Sequence, residues 1–476
     1  MRKGFLIVLM VALVAAIAAP AMAGTDINGY YRAKEYVSNY KNYTSASYVN
    51  PSPADNSSTN SYVEQRLRLK FSTGEENVKA VLFLEQDMMW GDSSGQPGTR
   101  NQGGAIQGDS INLEAKNAYL WFKLPNTSAD FTVGLQNVSD PYRGVFMGGA
   151  DMSGALATFK FAPLSFRVGG FTPWERDTNQ ADDSQIFIAE AKISPVKDLN
   201  VGLNFYFLRD GADSLGASSG ETSTSTAGFL GGVQVVPGVS KIYMPGVNFD
   251  FNAGVAKISG FGFVQFGDRT FDNTAIPKTK FGGYAADLRV DANVGPATVF
   301  LEGMYTSGDK PGTTDKIEGV VVAEDFKIFS SATQPTSFDM QILGPNGDDI
   351  NTSRNLTYTS NNNRAAGGYA MNGVRLGATF LAAGASMKLG DKMTGKVGVG
   401  YLRANQLAPV ALSATNLDKS KKMGTEVNAN VNYNILKGLD FGLYAAYAWL
   451  GDAYKVSGSP TPDNLYDAHF RLNYAF

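Results

Sequence analysis

Cysteine is absent from this 476-residue chain, and histidine occurs only once, as His469. Without cysteine the chain can form no disulfide bond and cannot attach haem through a C-x-x-C-H motif. Hydrolysis by a side-chain nucleophile needs a nearby base such as histidine, and His469 stands in no such motif. We therefore predict that the chain is not an enzyme and that it has no cofactor and no metal site.

Charge is also scarce, because Asp, Glu, Lys and Arg make up only 18% of the residues. An average soluble domain has about 25% of them. The formal net charge of −3 makes the chain a poor candidate for nucleic-acid binding. Glycine is abundant, with 53 residues, beside 29 Phe and 22 Tyr. Glycine and aromatic residues without helical periodicity favour an all-β chain with many turns.

The only long apolar run lies at the N-terminus, from Phe5 to Ala19 behind Arg2 and Lys3. Small residues at positions 21 and 23 precede Gly24, which is typical of the cleavage site of a secretory signal peptide. We therefore expect residues 1–23 to be removed and residues 24–476 to form one domain. A retained membrane helix, the alternative, would need about 20 apolar residues. Since no later run is long enough to span as a helix, a closed β-barrel is the remaining way across a bilayer.

Apolar and polar residues alternate along many segments, which is the pattern of a strand with one oily face and one wet face. The segment Tyr62–Thr73 shows it most clearly. Its apolar face carries Val63, Leu67, Leu69 and Phe71, and its polar face carries Glu64, Arg66, Arg68 and Lys70. The last segment, Asn464–Phe476, places Phe470, Leu472, Tyr474 and Phe476 on one face.

Connections between the predicted strands alternate between short and long. Gly74–Asn77 and Pro125–Asp130 are short, whereas Arg209–Val239 and Gly308–Asn372 are long and polar. Outer-membrane barrels have this arrangement, with short periplasmic turns and long extracellular loops. We therefore predict an all-β fold: a transmembrane antiparallel β-barrel of about 18 strands, with 16 or 20 as alternatives.

The inner face of such a barrel would carry Arg, Lys, Glu, Asp and Asn. Barrels of this size enclose an aqueous lumen, whereas a barrel of 8 strands is filled by its side chains. Buried without partners, these polar groups would cost several kcal/mol each. The pattern therefore predicts an interior filled with water.

Taken together, these features resemble the Gram-negative outer-membrane porins over essentially the whole mature chain. Phe476 resembles the aromatic residue that ends their closing strand, Phe131–Gln136 is similar to the fifth strand of general porins, and Tyr305–Asp309 resembles alginate-export-like porins. The resemblance implies an outer-membrane channel in contact with lipid that passes ions and small hydrophilic solutes by passive diffusion. It leaves open whether the chain acts as a homotrimer or as a monomer.

Basic residues on the inner faces of the first two strands suggest a weak preference for anions, because rows of charge set the selectivity of pores. This basic stripe consists of Arg32, Lys34, Arg66, Arg68 and Lys70. The alternative is that these residues pair with carboxylates such as Glu64 and Glu114, which would leave no net preference.

In general porins the loop after the fifth strand folds into the barrel and narrows the pore. The resemblance therefore makes Ser139–Ser153, with Asp140, Arg143 and Asp151, a candidate constriction loop. A solvated loop is the alternative. Farther along, Asp348, Asp349 and Asn351 lack the spacing of a calcium loop, so we interpret them as unliganded loop residues.

Two other functions are compatible with a barrel. One is an outer-membrane enzyme, which we disfavour because His469 is interpreted as a solvated residue in the lumen or near the periplasmic rim. The other is a sheath or export conduit that houses a partner, such as a multihaem cytochrome or an exported polymer. With no cysteine and one histidine, this chain could not bind such haems itself.

Overall fold

The computed structural model describes most of the chain downstream of the predicted signal peptide. The described residues are 24–39, 59–92, 103–108, 111–175, 183–211, 238–272, 274–275, 277–310, 313, 315–323, 340–343, 377–406, 420–452 and 464–476. The predicted signal peptide (residues 1–23) and the Asp348, Asp349 and Asn351 group lie outside these ranges and stay predictions.

The described residues form 21 β-strands. In chain order they are β1 (Gly24–Ser38), β2 (Asn60–Glu75), β3 (Val78–Met89), β4 (Glu114–Lys123), β5 (Ala129–Ser139), β6 (Gly148–Phe161), β7 (Leu164–Trp174), β8 (Ser184–Val196), β9 (Leu199–Asp210), β10 (Gly238–Ala253), β11 (Ala256–Val264), β12 (Phe266–Phe271), β13 (Thr279–Phe281), β14 (Tyr284–Val294), β15 (Ala297–Thr306), β16 (Lys316–Ile317), β17 (Ala378–Gly390), β18 (Met393–Ala404), β19 (Lys422–Leu436), β20 (Leu439–Leu450) and β21 (Leu465–Ala475).

Neighbouring strands of the wall pair antiparallel, and β21 pairs with β1, so the sheet closes into a barrel. Three short strands are not counted as separate strands of the wall. The first, β12, continues the pairing of β11 with β10, and β13 pairs with β12 and β16 with β13. The wall therefore has 18 strands, which confirms the prediction. In the described part of the chain, no helix is long and apolar enough to cross a membrane.

The turn between β10 and β11 lies at Gly254 and Val255, where Gly254 adopts a φ of +70° that favours glycine. Farther along, β16 pairs in parallel with β13. Backbone bonds from Lys280 to Asp315 (2.9 Å) and from Gly282 to Ile317 (2.9 Å) fix that pairing.

Phe476 closes the ring. Its backbone N–H donates to the carbonyl of Gly29 (3.1 Å), and its own carbonyl accepts from the Gly29 N–H (3.0 Å). Residues 30–38 of β1 pair with residues 475–467 of β21. The side chain of Phe476 is 45% exposed on the outer face, beside Tyr474.

The outer face is predominantly apolar. Exposed side chains alternate along each strand with buried ones, as in β15, where Leu301 is 64% exposed and Glu302 only 5%. Near the loop ends, four aromatic rings of β8, β9, β10 and β12 stack in a row: Phe187, Phe207, Tyr243 and Phe266. A band of apolar side chains with aromatic residues at its margins is the surface that lipid requires.

A charge on this outer face should destabilise the barrel according to its depth in the bilayer. We expect Leu301→Arg, in the middle of β15, to lower the free energy of unfolding by about 2–4 kcal/mol. Leu436→Arg is the matched control, because Leu436 is 63% exposed but stands at a short turn, where the cost should be at most about 1 kcal/mol. Denaturant titration in lipid vesicles measures both. Equal costs at the two positions would contradict a lipid-facing outer surface.

Candidate channel interior

The basic stripe lies on the inner face of β1 and β2, as the alternation predicts. Arg32, Lys34 and Arg66 are buried, and Arg32 stands directly opposite Arg66 in the strand register. Arg68 and Lys70 continue the row toward the short turns and are half-buried. Like charges directly opposite each other on neighbouring strands are unfavourable, so counter-charges are expected nearby.

Those counter-charges come from β3. The Arg66 guanidinium binds Asp87 in a bidentate pair, with Nε–Oδ1 and Nη2–Oδ2 distances both of 2.6 Å. Glu85 lies 3.4 Å from Arg66 Nε and also accepts a short hydrogen bond from Arg68 Nε. The structure thus places Glu85 and Asp87 against the stripe, two carboxylates that the sequence reasoning did not select.

Aromatic side chains also contact the cations of the basic stripe. The Arg68 guanidinium lies 5.5 Å from the ring centre of Tyr30 and 5.7 Å from that of Phe83. Lys34 donates to the hydroxyl of Tyr36 (3.3 Å). Cations over ring faces are stabilised by the ring quadrupole, which spares them part of the cost of leaving water.

At the level of Arg32 and Arg66 the side chains on the inner face are buried. Arg66 is paired with Asp87, so its charge is buried together with a counter-charge. The Arg68 side chain retains 20% exposure, and that of Lys116 also 20%. Exposure along the stripe thus increases from Arg66 to Arg68, toward the short turns.

The loop between β5 and β6, residues 140–147, enters the barrel. Tyr142 and Phe146 are fully buried. The Tyr142 ring contacts Phe261 and Phe263 of β11, with ring centres 5.4 and 5.0 Å apart, and Phe146 contacts Tyr206 of β9 at 5.3 Å. Since β9 and β11 lie several strands away around the wall, this loop runs across the interior.

Asp140 gives that loop its shape. Its carboxylate accepts backbone N–H groups from Tyr142 (2.7 Å), Gly144 (2.9 Å), Phe146 (2.8 Å) and Met147. Burial raises the pKa of Asp140 to about 6. The four N–H groups favour the ionised form and lower the pKa, but burial has the larger effect. The side chain is thus a structural centre of the loop.

Arg143 extends from the same loop to the far wall. Its Nη1 donates to Glu302 of β15, its Nε lies 3.3 Å from Asp287 of β14, and its Nη2 donates to Ser259 of β11 at 3.2 Å. Arg289 binds Glu302 from the other side at 2.7 Å. Two arginines and two carboxylates therefore form a charged cluster across the inserted loop and the wall.

Asp151 does not join Asp140 and Arg143. It lies on β6, where Met152 on the opposite face packs into the interior. Its carboxylate binds Lys116 Nζ at 2.7 Å and the amide groups of Asn117 (2.8 Å) and Asn137 (2.9 Å). The pairing of β4 with β5 stops at Ala118, so these polar side chains bridge the two strands above that point.

His469 is buried, which differs from the solvated position expected of it. It is 3% exposed and lies between Tyr36 and Tyr444, with ring centres 5.0 and 4.5 Å away. Its Nδ1 lies 3.4 Å from Asp467 Oδ2. It stands in the half of β21 nearer the long loops, because the strand runs from Leu465 at that end to the short-turn end. Within the described ranges, no group of His, Asp and Glu residues could hold a metal ion.

Comparison with known proteins finds a common fold only. The chain matches no protein-family model and no curated protein. The Pseudomonas aeruginosa outer membrane protein OpdK has a TM-score of 0.51 at 10% identity, covering 95% of this chain and 98% of that chain. OccK9 (OpdG) of the same species has a TM-score of 0.51 at 11% identity, with coverage of 95% and 98%. The chain thus has the fold of a known outer-membrane barrel.

Breaking the Arg66–Asp87 pair should cost much more than replacing it. We expect Arg66→Met to lower the free energy of unfolding by about 3–5 kcal/mol, because Asp87 is left buried with an uncompensated charge. The double variant Arg66→Met/Asp87→Leu should regain most of that loss. Denaturant titration of the three proteins gives the comparison. A double variant no more stable than the single one would count against this explanation.

The Asp140 carboxylate should be needed for the order of its loop. Asp140→Asn replaces one acceptor oxygen with an amide donor that faces backbone N–H groups. Each donor left without an acceptor costs about 1–3 kcal/mol. We expect hydrogen exchange at the amides of Phe146 and Met147 to become faster, while exchange in β19 stays unchanged. Equal protection in both proteins would show that the loop does not depend on Asp140.

Proposed function

We propose that this chain is an outer-membrane porin, a channel through which ions and small hydrophilic solutes diffuse passively. The proposal depends on one observation: a closed wall with an apolar outer face and charged side chains inside. Such a wall satisfies its backbone hydrogen bonds within a bilayer, and 18 strands surround more space than wall side chains alone can fill. The OpdK likeness supports an outer-membrane location, as does the predicted signal peptide.

A weak anion preference would come from the wall formed by β21, β1 and β2. Their inner faces carry Arg471, Arg32, Lys34, Arg66, Arg68 and Lys70. Glu85 and Asp87 offset part of this charge. Arg68 is the best candidate for contact with a passing ion, since it combines partial exposure with a fixed position between two rings.

The loop with Asp140 and Arg143 would act as the constriction. It crosses the interior, its apolar residues are buried against β9 and β11, and Arg143 fastens it to carboxylates of β14 and β15. Side chains held in this way would narrow the lumen at the level of this loop. Asp151 would take no part, because its carboxylate binds Lys116 of β4 instead.

A sheath around a partner protein is less consistent with the interior. Residues 140–147 and 315–323 of this chain meet there, where the N–H of Ala323 donates to the carbonyl of Phe146 at 2.9 Å. Apolar side chains of both segments belong to one buried cluster with the wall. The chain itself therefore occupies space that a housed partner would need.

Reversing the charge of Arg68 should change the ion preference of the channel. We expect the wild-type protein to conduct in planar bilayers, and Arg68→Glu to move the reversal potential in a salt gradient toward cations. Arg403→Glu is the matched control, because Arg403 is exposed on the outer face of β18 and its reversal should leave the potential unchanged.

Two outcomes would count against these proposals. Failure of the folded wild-type protein to conduct would remove the porin function. An Arg68→Glu channel with the potential of the wild type would leave the porin standing but remove the anion-guiding role of the basic stripe.

A further inference from the structure

Glu426 is a fully buried carboxylate on the inner face of β19. Three consecutive backbone N–H groups of the inserted segment 340–343 donate to it. Gln341 donates to Oε1 at 2.7 Å, and Ile342 and Leu343 donate to Oε2 at 3.0 and 2.8 Å. Asn428, two residues along the same strand, also donates to Oε1 at 2.8 Å. A side chain of the wall therefore holds the backbone of a segment from the long β15–β17 connection.

The side chains of the segment fit the wall as closely as its backbone does. A Cβ atom at Gly400 of β18 would lie 2.7 Å from Met340 Cε, and one at Gly424 of β19 would lie 3.1 Å from Leu343 Cδ1. The wall has glycine at both points of contact. Gln341 reaches β21, where its Nε2 donates to Asp467 Oδ2 at 3.2 Å.

A second wall side chain holds another part of the same connection. Gln265 stands at the break between β11 and β12 and points inward. Its amide bonds the backbone of Val321 twice: Nε2 donates to the carbonyl at 2.7 Å, and Oε1 accepts the N–H at 2.8 Å. The connection is thus fixed at two separate parts of the wall, in both cases through its backbone.

We propose that Glu426 is a positioning residue that keeps segment 340–343 inside the barrel and so sets the width of the passage; this rests on the proposed channel function. Hydrogen bonds to an ionised acceptor are about twice as strong as neutral ones. The carboxylate in turn depends on the segment, since a buried charge needs donors. Withdrawal of the segment would leave the carboxylate without these three donors.

Thiol labelling tests this directly, because the chain has no cysteine of its own. Gln341→Cys places a thiol on the segment and leaves the backbone N–H of residue 341 in place. We expect a small hydrophilic thiol reagent to label this protein slowly. In Gln341→Cys/Glu426→Gln, labelling should be roughly a hundredfold faster, because lost charge-assisted hydrogen bonds shift the local opening equilibrium.

Asp440→Asn in the Gln341→Cys background is the matched control. It removes one negative charge from β20, where Asp440 binds Asn434 near a short turn, away from the segment. Its labelling rate should equal that of Gln341→Cys alone. Should the Glu426→Gln protein fail to fold, Glu426→Asp keeps the charge and shortens the reach, and an intermediate rate is expected. Folded Glu426 variants that label as slowly as Gln341→Cys would overturn the proposal.

Conductance separates this inference from the porin proposal. In planar bilayers, Glu426→Gln should give a larger single-channel conductance than the wild type, and Asp440→Asn should not. If the wild type conducts but the Glu426 variants change neither the labelling rate nor the conductance, the positioning role is wrong and the porin function is retained. If the Glu426 variants label faster but the wild type does not conduct, Glu426 still holds the segment and the porin function is wrong.

Discussion

Backbone hydrogen bonding within lipid is the constraint on which the whole structure depends. A strand edge left open in a bilayer exposes N–H and C=O groups that no water can satisfy. The chain meets this requirement by returning its last strand to its first, where Phe476 and Gly29 exchange a pair of hydrogen bonds. Once the ring is closed, the alternation of each strand decides which residues meet lipid and which face inward.

The same requirement for partners continues inside the barrel, but side chains meet it there. Arg66 and Asp87 bind each other, and Arg143 binds Glu302 across an inserted loop. Asp140 and Glu426 take backbone N–H groups as their donors. Many polar groups of the inner face are thus bonded to other parts of the chain. The passage is therefore narrower than the number of strands alone implies.

Alternation and connection lengths were sufficient to predict the barrel, its strand number and the inward position of Glu64 and Arg66. These are local properties, repeated along every strand. The interior contacts are not local: Glu426 binds a segment 85 residues earlier, and Arg143 binds Glu302 at a separation of 159. No period in the sequence encodes such pairs. The role of Gln265 is not encoded in a period either, because the residue stands at a break between two strands.

The carboxylates of Asp140 and Glu426 bind peptide groups, which every residue except proline provides. Loops held by their main chain can exchange most of their side chains and still follow the same path. The amino-acid sequence can then change widely while the architecture is kept.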